Sequence, residues 1–129
     1  MKLTTTVLAA KDLKASVAFY EALGFRRKQG GGALAFLSDG DRTIALAAGD
    51  VVGLICGGTA APTKAPGVVH AYLTRTKPEV DEALAQAGSA GGKVVRPAQD
   101  GAWGGYGGSF ADLDGHVWAV IHNPALYRA

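Results

Sequence analysis

The sequence predicts an α+β fold. Two βαβββ modules pair their strands into an open, curved mixed sheet, a half-barrel cup with the helices outside. Three observations carry this expectation. A hairpin skeleton occurs twice: Phe36-Leu37-Ser38-Asp39-Gly40-Asp41 leads into Thr43-Ile44-Ala45-Leu46, and Phe110-Ala111-Asp112-Leu113-Asp114-Gly115 leads into Val117-Trp118-Ala119-Val120. Each hairpin follows a single amphipathic helix with its own capping signal. Neither module can bury a sheet face alone, so the two must be used together. The 129 residues form one domain, with modules at about 1–50 and 67–124 and a linker over 51–66.

The first strand covers 3–10, short and rich in β-branched and apolar residues. Asp12 caps a helix whose apolar face is Leu13, Val17, Tyr20 and Leu23, and Gly24 ends it. Strands follow over 25–29, 33–38 and 42–48. From 49 to 66 the composition turns to Gly, Ala, Thr and Pro, interrupted by an apolar run that ends at Cys56. The pattern restarts with a strand over 68–74. Thr76-Lys77-Pro78-Glu79 forms a capping box that opens a helix with Val80, Ala83, Leu84 and Ala87 buried and Gly88 at its close. Strands over 93–97, 105–111 and 116–122 complete the second module.

Alternation along each strand sorts side chains into faces. In 68–74, Val69, Ala71 and Leu73 form an all-apolar set expected to meet the helix, which turns His70 and Tyr72 into the cup. Phe36 and Phe110 are inward by phase, as are Val117 and Ala119, while His116 and His122 point outward.

Composition narrows the function. Apolar residues make up 48% and charged residues 19%, which argues for a packed globule, and the net charge of +2 is small. The basic run Arg26-Arg27-Lys28 is not interleaved with aromatics, so it reads as a solvated strand and no nucleic-acid partner is expected. A single cysteine excludes an internal disulfide and a Cys-based zinc cluster; it reads as a buried structural thiol. No segment has the length of a membrane span or the look of a signal peptide, so a cytoplasmic protein without membrane association is expected.

The stretch Asp12-Leu13-Lys14-Ala15-Ser16-Val17-Ala18-Phe19-Tyr20-Glu21-Ala22-Leu23-Gly24-Phe25 resembles the "DL..S..FY..LGF" opening of the vicinal oxygen chelate superfamily, which includes glyoxalase I, extradiol dioxygenases and bleomycin-resistance proteins. Gly107-Gly108-Ser109-Phe110-Ala111-Asp112-Leu113-Asp114-Gly115-His116-Val117-Trp118 is similar to its "FxDPDGHxWE" close. With the repeat, the resemblance covers essentially the whole chain. It implies a homodimer and a ligand site between the modules. It also implies four inward metal-ligand positions, usually His or Gln and Glu, which fall on Thr5, Ala45, His70 and Ala119. Thr5 and His70 are 65 residues apart, like the two helix starts, and Ala45 and Ala119 are 74 apart, like the two hairpins. Alanine has no donor, so no metal and no other cofactor is expected.

The resulting expectation is metal-independent binding of a small hydrophobic or aromatic molecule, as in the resistance proteins. Ligand-contacting candidates are Thr5, Phe36, His70, Tyr72, Arg96, Trp103, Tyr106, Phe110 and Ala119. Arg96 is a candidate anion anchor. Trp103 and Tyr106 sit among glycines, which suits either a ligand loop or an interface. The alternative is a glyoxalase-like lyase or isomerase, or another enzyme of the superfamily, metal-free and using His70 and Tyr72. A module with no small ligand is a third reading. Asp112 and Asp114 lack the ligand count of a calcium loop and read as a tight turn.

Overall fold

The computed structural model describes residues 1, 5–48, 69–101 and 105–124. The chain divides into two compact units, Met1–Lys64 and Ala65–Ala129. The first runs β1 (Thr5–Ala10), α1 (Leu13–Ala22), β2 (Arg26–Gly31), β3 (Leu34–Ser38) and β4 (Thr43–Ala48). The second repeats the plan with β5 (His70–Leu73), α2 (Lys77–Ser89), β6 (Lys93–Asp100), β7 (Tyr106–Ala111) and β8 (Val117–His122). Each unit holds a four-stranded mixed sheet, in the orders β1-β4-β3-β2 and β5-β8-β7-β6. The β1–β4 and β5–β8 pairs are parallel and the others antiparallel. The α+β, two-module architecture expected from the sequence is the one observed. The linker and Cys56 lie outside the described residues.

Local chemistry sets the helix ends. Asp12 Oδ1 accepts from the Ala15 N–H at 3.1 Å. Thr76 Oγ1 accepts from the Glu79 N–H at 3.3 Å and donates to Glu79 Oε1 at 3.1 Å. At the far end of α1, Gly24 takes φ +107°, the Phe25 N–H reaches Tyr20 O and the Gly24 N–H reaches Glu21 O. The end of α2 copies this closure at Gly91, φ +106°, with the Gly92 N–H on Ala87 O and the Gly91 N–H on Gly88 O. Gly88, expected to end the helix, stays inside it. The closure needs a left-handed residue, and Gly91 supplies it.

Each helix covers one face of its own sheet. Ser16, Val17, Phe19 and Tyr20 of α1 are buried, above Leu8, Ala35, Leu37, Ile44 and Leu46. Val80, Leu84 and Ala87 of α2 are buried as the spacing predicts. Under α2, a Cβ placed on Gly108 would come within 2.8 Å of Leu84 Cδ1. That contact assigns the side of β7 carrying positions 106, 108 and 110 to the helix, and the side carrying 107, 109 and 111 to the opposite face, which is helix-free among the described residues.

Candidate functional site

Cross-strand register carries this assignment through the second sheet. Phe110 lies opposite Trp118 and Gly108 opposite Val120, while His70 lies opposite Trp118 and Tyr72 opposite Val120. Paired residues project to the same side. His70, Tyr72, Tyr106 and Phe110 therefore stand on the α2 face, which for His70, Tyr72 and Phe110 reverses the inward phase expected from the sequence. Their contacts agree. Tyr72 borders a shallow hollow of about 410 Å³ with Glu79, Glu82 and Gln86 of α2. The Tyr106 hydroxyl donates to Asp81 Oδ1 at 2.7 Å, and the Lys77 ammonium lies 5.6 Å from the ring centre. The hydrogen bond to Asp81 holds the Tyr106 phenol above its ordinary pKa. These contacts fasten the first half of α2 to the sheet.

The other end of the α2 face carries a ring ladder over three strands. His70 stacks at 4.8 Å and 33° on Trp118, which lies parallel to Phe110 at 6.1 Å and 6°. Burial first, and then the neighbouring His116, hold the His70 imidazole below its ordinary pKa; Asp112 opposes them. The stacked His70 ring is thus biased toward its neutral form. Asp112 is a buried turn residue whose Oδ1 accepts from the Asp114 and His116 N–H groups at 2.9 and 2.8 Å. On the same face, His122 Nδ1 lies 3.2 Å from the Thr74 carbonyl, so it is tied to the residue that follows β5.

The helix-free faces collect the remaining candidates. In the first unit, Thr5 lies opposite Thr43, and Val7 opposite Ala45, which itself faces Phe36. In the second unit, Arg96 lies opposite Ser109, Ser109 opposite Ala119, and Ala119 opposite Ala71. Thr5, Phe36 and Ala45 therefore share one helix-free face, and Arg96 and Ala119 the other. Trp103 lies outside the described residues. The counterpart of Thr5 is Val69, not His70, because Val7 and Ala71 hold equivalent places beside Ala45 and Ala119. Ser109 and Val69 were missed as face residues. The Thr76 cap, which matches the Asp12 cap at a spacing of 64, is the signal that finds Val69, and the turn one residue longer in the second module is the one that finds Ser109.

The expected metal-ligand positions thus present a Thr hydroxyl, the methyls of Ala45 and Ala119, and Val69 on the helix-free faces. These donors do not fit a divalent ion, which needs three or more lone-pair ligands in reach. Among the described residues no three His, Cys, Asp or Glu side chains come together where an ion could sit.

The sequence model of the glyoxalase/bleomycin resistance protein/dioxygenase superfamily matches residues 2–120. The chain belongs to this superfamily. Among solved structures, a glyoxalase-related enzyme from Fulvimarina pelagi is 27% identical, with a TM-score of 0.84 over 95% of this chain and 88% of that one. A lactoylglutathione lyase from Agrobacterium tumefaciens is 21% identical, with a TM-score of 0.73 over 99% and 98% of the two chains. The bleomycin resistance determinant encoded on transposon Tn5 is also 21% identical, with a TM-score of 0.66 over 96% and 99%. At these identities, the last two share the superfamily fold with this chain and lend it no activity. No curated protein matches the chain at a significant level. Among the described residues no helix is long and apolar enough to cross a membrane.

Proposed function

We propose that this superfamily member binds a small hydrophobic or aromatic molecule, without a metal ion, on the helix-free faces of its sheets. One observation carries the reading. Among the described strand residues, these faces hold alanines where the superfamily places acidic ligands, and neither face carries a carboxylate or an imidazole. A lyase or isomerase of the glyoxalase type needs a metal to polarise its substrate and a carboxylate to move a proton. The faces are otherwise suited to an apolar ligand. Val7 and Val69 are 42% and 49% exposed, beside the half-buried Phe36 and Val117. A metal-free reaction at His70 and Tyr72 would have to occur on the α2 face instead.

The same reading keeps the homodimer implied by the resemblance and the cytoplasmic location expected from the sequence. Its support is the lone cysteine, which suits a reducing compartment, and the apolar exposure of Val69 and Tyr72 along the sheet-edge strand β5.

Two measurements on the purified full chain test the function. Elemental analysis is expected to find metal well below one ion per chain, and chelator treatment to leave the melting temperature unchanged. A thermal-shift series of aromatic compounds is expected to raise that temperature by several degrees for its best members, since a ligand at a hundred times its Kd adds about 2.7 kcal/mol. Stoichiometric nickel, zinc or iron whose removal destabilises the fold would overturn metal independence. A flat thermal series would overturn the binding.

A further inference from the structure

The helix-free face of the second sheet carries two cations of β6, Arg96 and Lys93 (the latter opposite Ala111), beside an apolar ground. A single cross-strand row runs Arg96, Ser109, Ala119, Ala71, which is guanidinium, hydroxyl, methyl, methyl. Arg96 sits between two register shifts of β6, so the strand bends there. With the Gln99 amide oriented so that its oxygen faces Arg96, Oε1 accepts from Arg96 Nε at 2.9 Å and also from Nη2.

The geometry of that contact matters. It occupies the Nε edge of the guanidinium and leaves the fork formed by one Nη1–H and one Nη2–H. The spacing of this fork matches the two oxygens of a carboxylate. The partner that orients Arg96 is a neutral amide, so the positive charge is not cancelled. Among the described residues Arg96 has no carboxylate partner, and the ion pair of Lys77 with Asp100 at 3.6 Å does not involve it. Ser109, the cross-strand partner of Arg96, adds a hydroxyl donor on the same face. Ala119 and Ala71 continue the row with the smallest apolar side chains, which leaves space above the sheet where a flat ring can lie.

We propose that this row recognises the carboxylate of an aromatic or apolar acid. Arg96 takes both oxygens through its free fork, Ser109 donates to one of them, Gln99 holds the guanidinium in place, and the ring rests over Ala119 and Ala71. One fork and one hydroxyl match a monoanion with two oxygens. The inference rests on the reading that the helix-free face binds a ligand, and it adds what that ligand must carry.

Titration calorimetry on the full chain with 2-naphthoate and its neutral counterpart 2-naphthamide tests it. Wild-type protein is expected to bind the acid at least tenfold more tightly in low salt, with the preference shrinking as salt is added. Arg96→Gln should remove most of that preference, weakening naphthoate about tenfold and naphthamide less than twofold. Ser109→Ala should reduce the preference by a smaller factor. Arg96→Lys keeps the charge without the fork and should recover only part of it. Melting temperatures close to wild type would show that each variant is folded. Equal affinity for the two compounds, or an Arg96→Gln loss of the same size for both, would overturn the carboxylate assignment and leave apolar binding intact. Binding of neither compound would overturn the assignment together with the reading beneath it.

Discussion

Placing His70, Phe110 and Tyr106 on the α2 face depends on Gly108 lying beneath that helix, and a pair of glycine substitutions tests this directly. A Cβ at Gly108 would stand 2.6 Å from the Arg96 carbonyl oxygen, 2.8 Å from Leu84 Cδ1 and 3.0 Å from the Ala98 nitrogen. Two of these atoms are β6 backbone, so a rotamer change cannot relieve the clash; β6 or α2 must move. Overpacking of this kind costs about 1–3 kcal/mol, and the lower unfolded-state entropy of alanine returns roughly 0.4–1 kcal/mol. Gly108→Ala should therefore lose about 1–2 kcal/mol, which for a chain of this size lowers the melting temperature by roughly 4–10 °C. Gly88→Ala is the matched control. Gly88 lies on the exposed side of α2 with nothing within 4 Å of its added Cβ, so alanine should gain about 0.5–1 kcal/mol there. Urea and thermal unfolding followed by circular dichroism read both changes. The decisive comparison adds Leu84→Val, which removes the branch that clashes. In the Gly108→Ala background it should cost at least about 0.5 kcal/mol less than it does alone. Strict additivity, or a Gly108→Ala protein as stable as wild type, would refute the face assignment. His70 and Phe110 would then return to the side of Ala119.

Two further outcomes follow from the α2 face. His70 is held below its ordinary value of 6.5 in the folded chain, so between the two pKa values the unfolded chain binds more protons. The stability it supports is fully present above pH 6.5 and is lost as pH falls toward the lower folded value. Urea midpoints should therefore decline more steeply from pH 7.5 to 5.5 in wild type than in His70→Phe, which keeps a ring against Trp118; parallel declines would disprove the coupling. At the start of α2, Thr76→Ala removes the acceptor for the Glu79 N–H and should cost about 0.5–2 kcal/mol in urea unfolding, whereas Thr76→Ser should cost almost nothing. Equal losses in the two variants would show that the hydroxyl does not cap the helix.

The elements could be read from the sequence because each is announced by nearby residues: Asp12 and Thr76 at the helix starts, Gly24 after α1, and Asp39 and Asp112 in the turns. The faces could not be read as well, because side chains on a strand alternate and an error of one residue reverses every assignment. Two such slips arose in aligning the modules. Matching Lys77 to Asp12 gave a spacing of 65, whereas the caps themselves, Asp12 and Thr76, are 64 apart, and this slip moved His70 onto the wrong side. Matching Phe36 to Phe110 ignored a turn longer by one residue in the second module. The Asp39 N–H reaches the Arg42 carbonyl, but the Asp112 N–H reaches that of His116. The residue in the place of Phe36 is therefore Ser109, and Phe110 takes the place of Leu37.

A deeper reason lies in the assumption that the more apolar side of a strand meets the helix. Alternation shows which residues share a face; polarity decides between the faces only when one of them meets water. In β5 and its flanking residues the apolar set Val69, Ala71 and Leu73 is helix-free, while His70, Tyr72 and Thr74 lie toward α2. The polar set is tolerated there because each member is accommodated: His70 stacks on Trp118, Tyr72 opens into the hollow beside α2, and Thr74 Oγ1 donates to the Thr76 carbonyl at 2.8 Å. An apolar helix-free face is unfavourable for an isolated sheet, and its cost is offset only when something apolar covers it. The same inversion that defeats the phase argument is therefore what the proposed apolar ligand requires, with the cations Arg96 and Lys93 on the β6 side of that face.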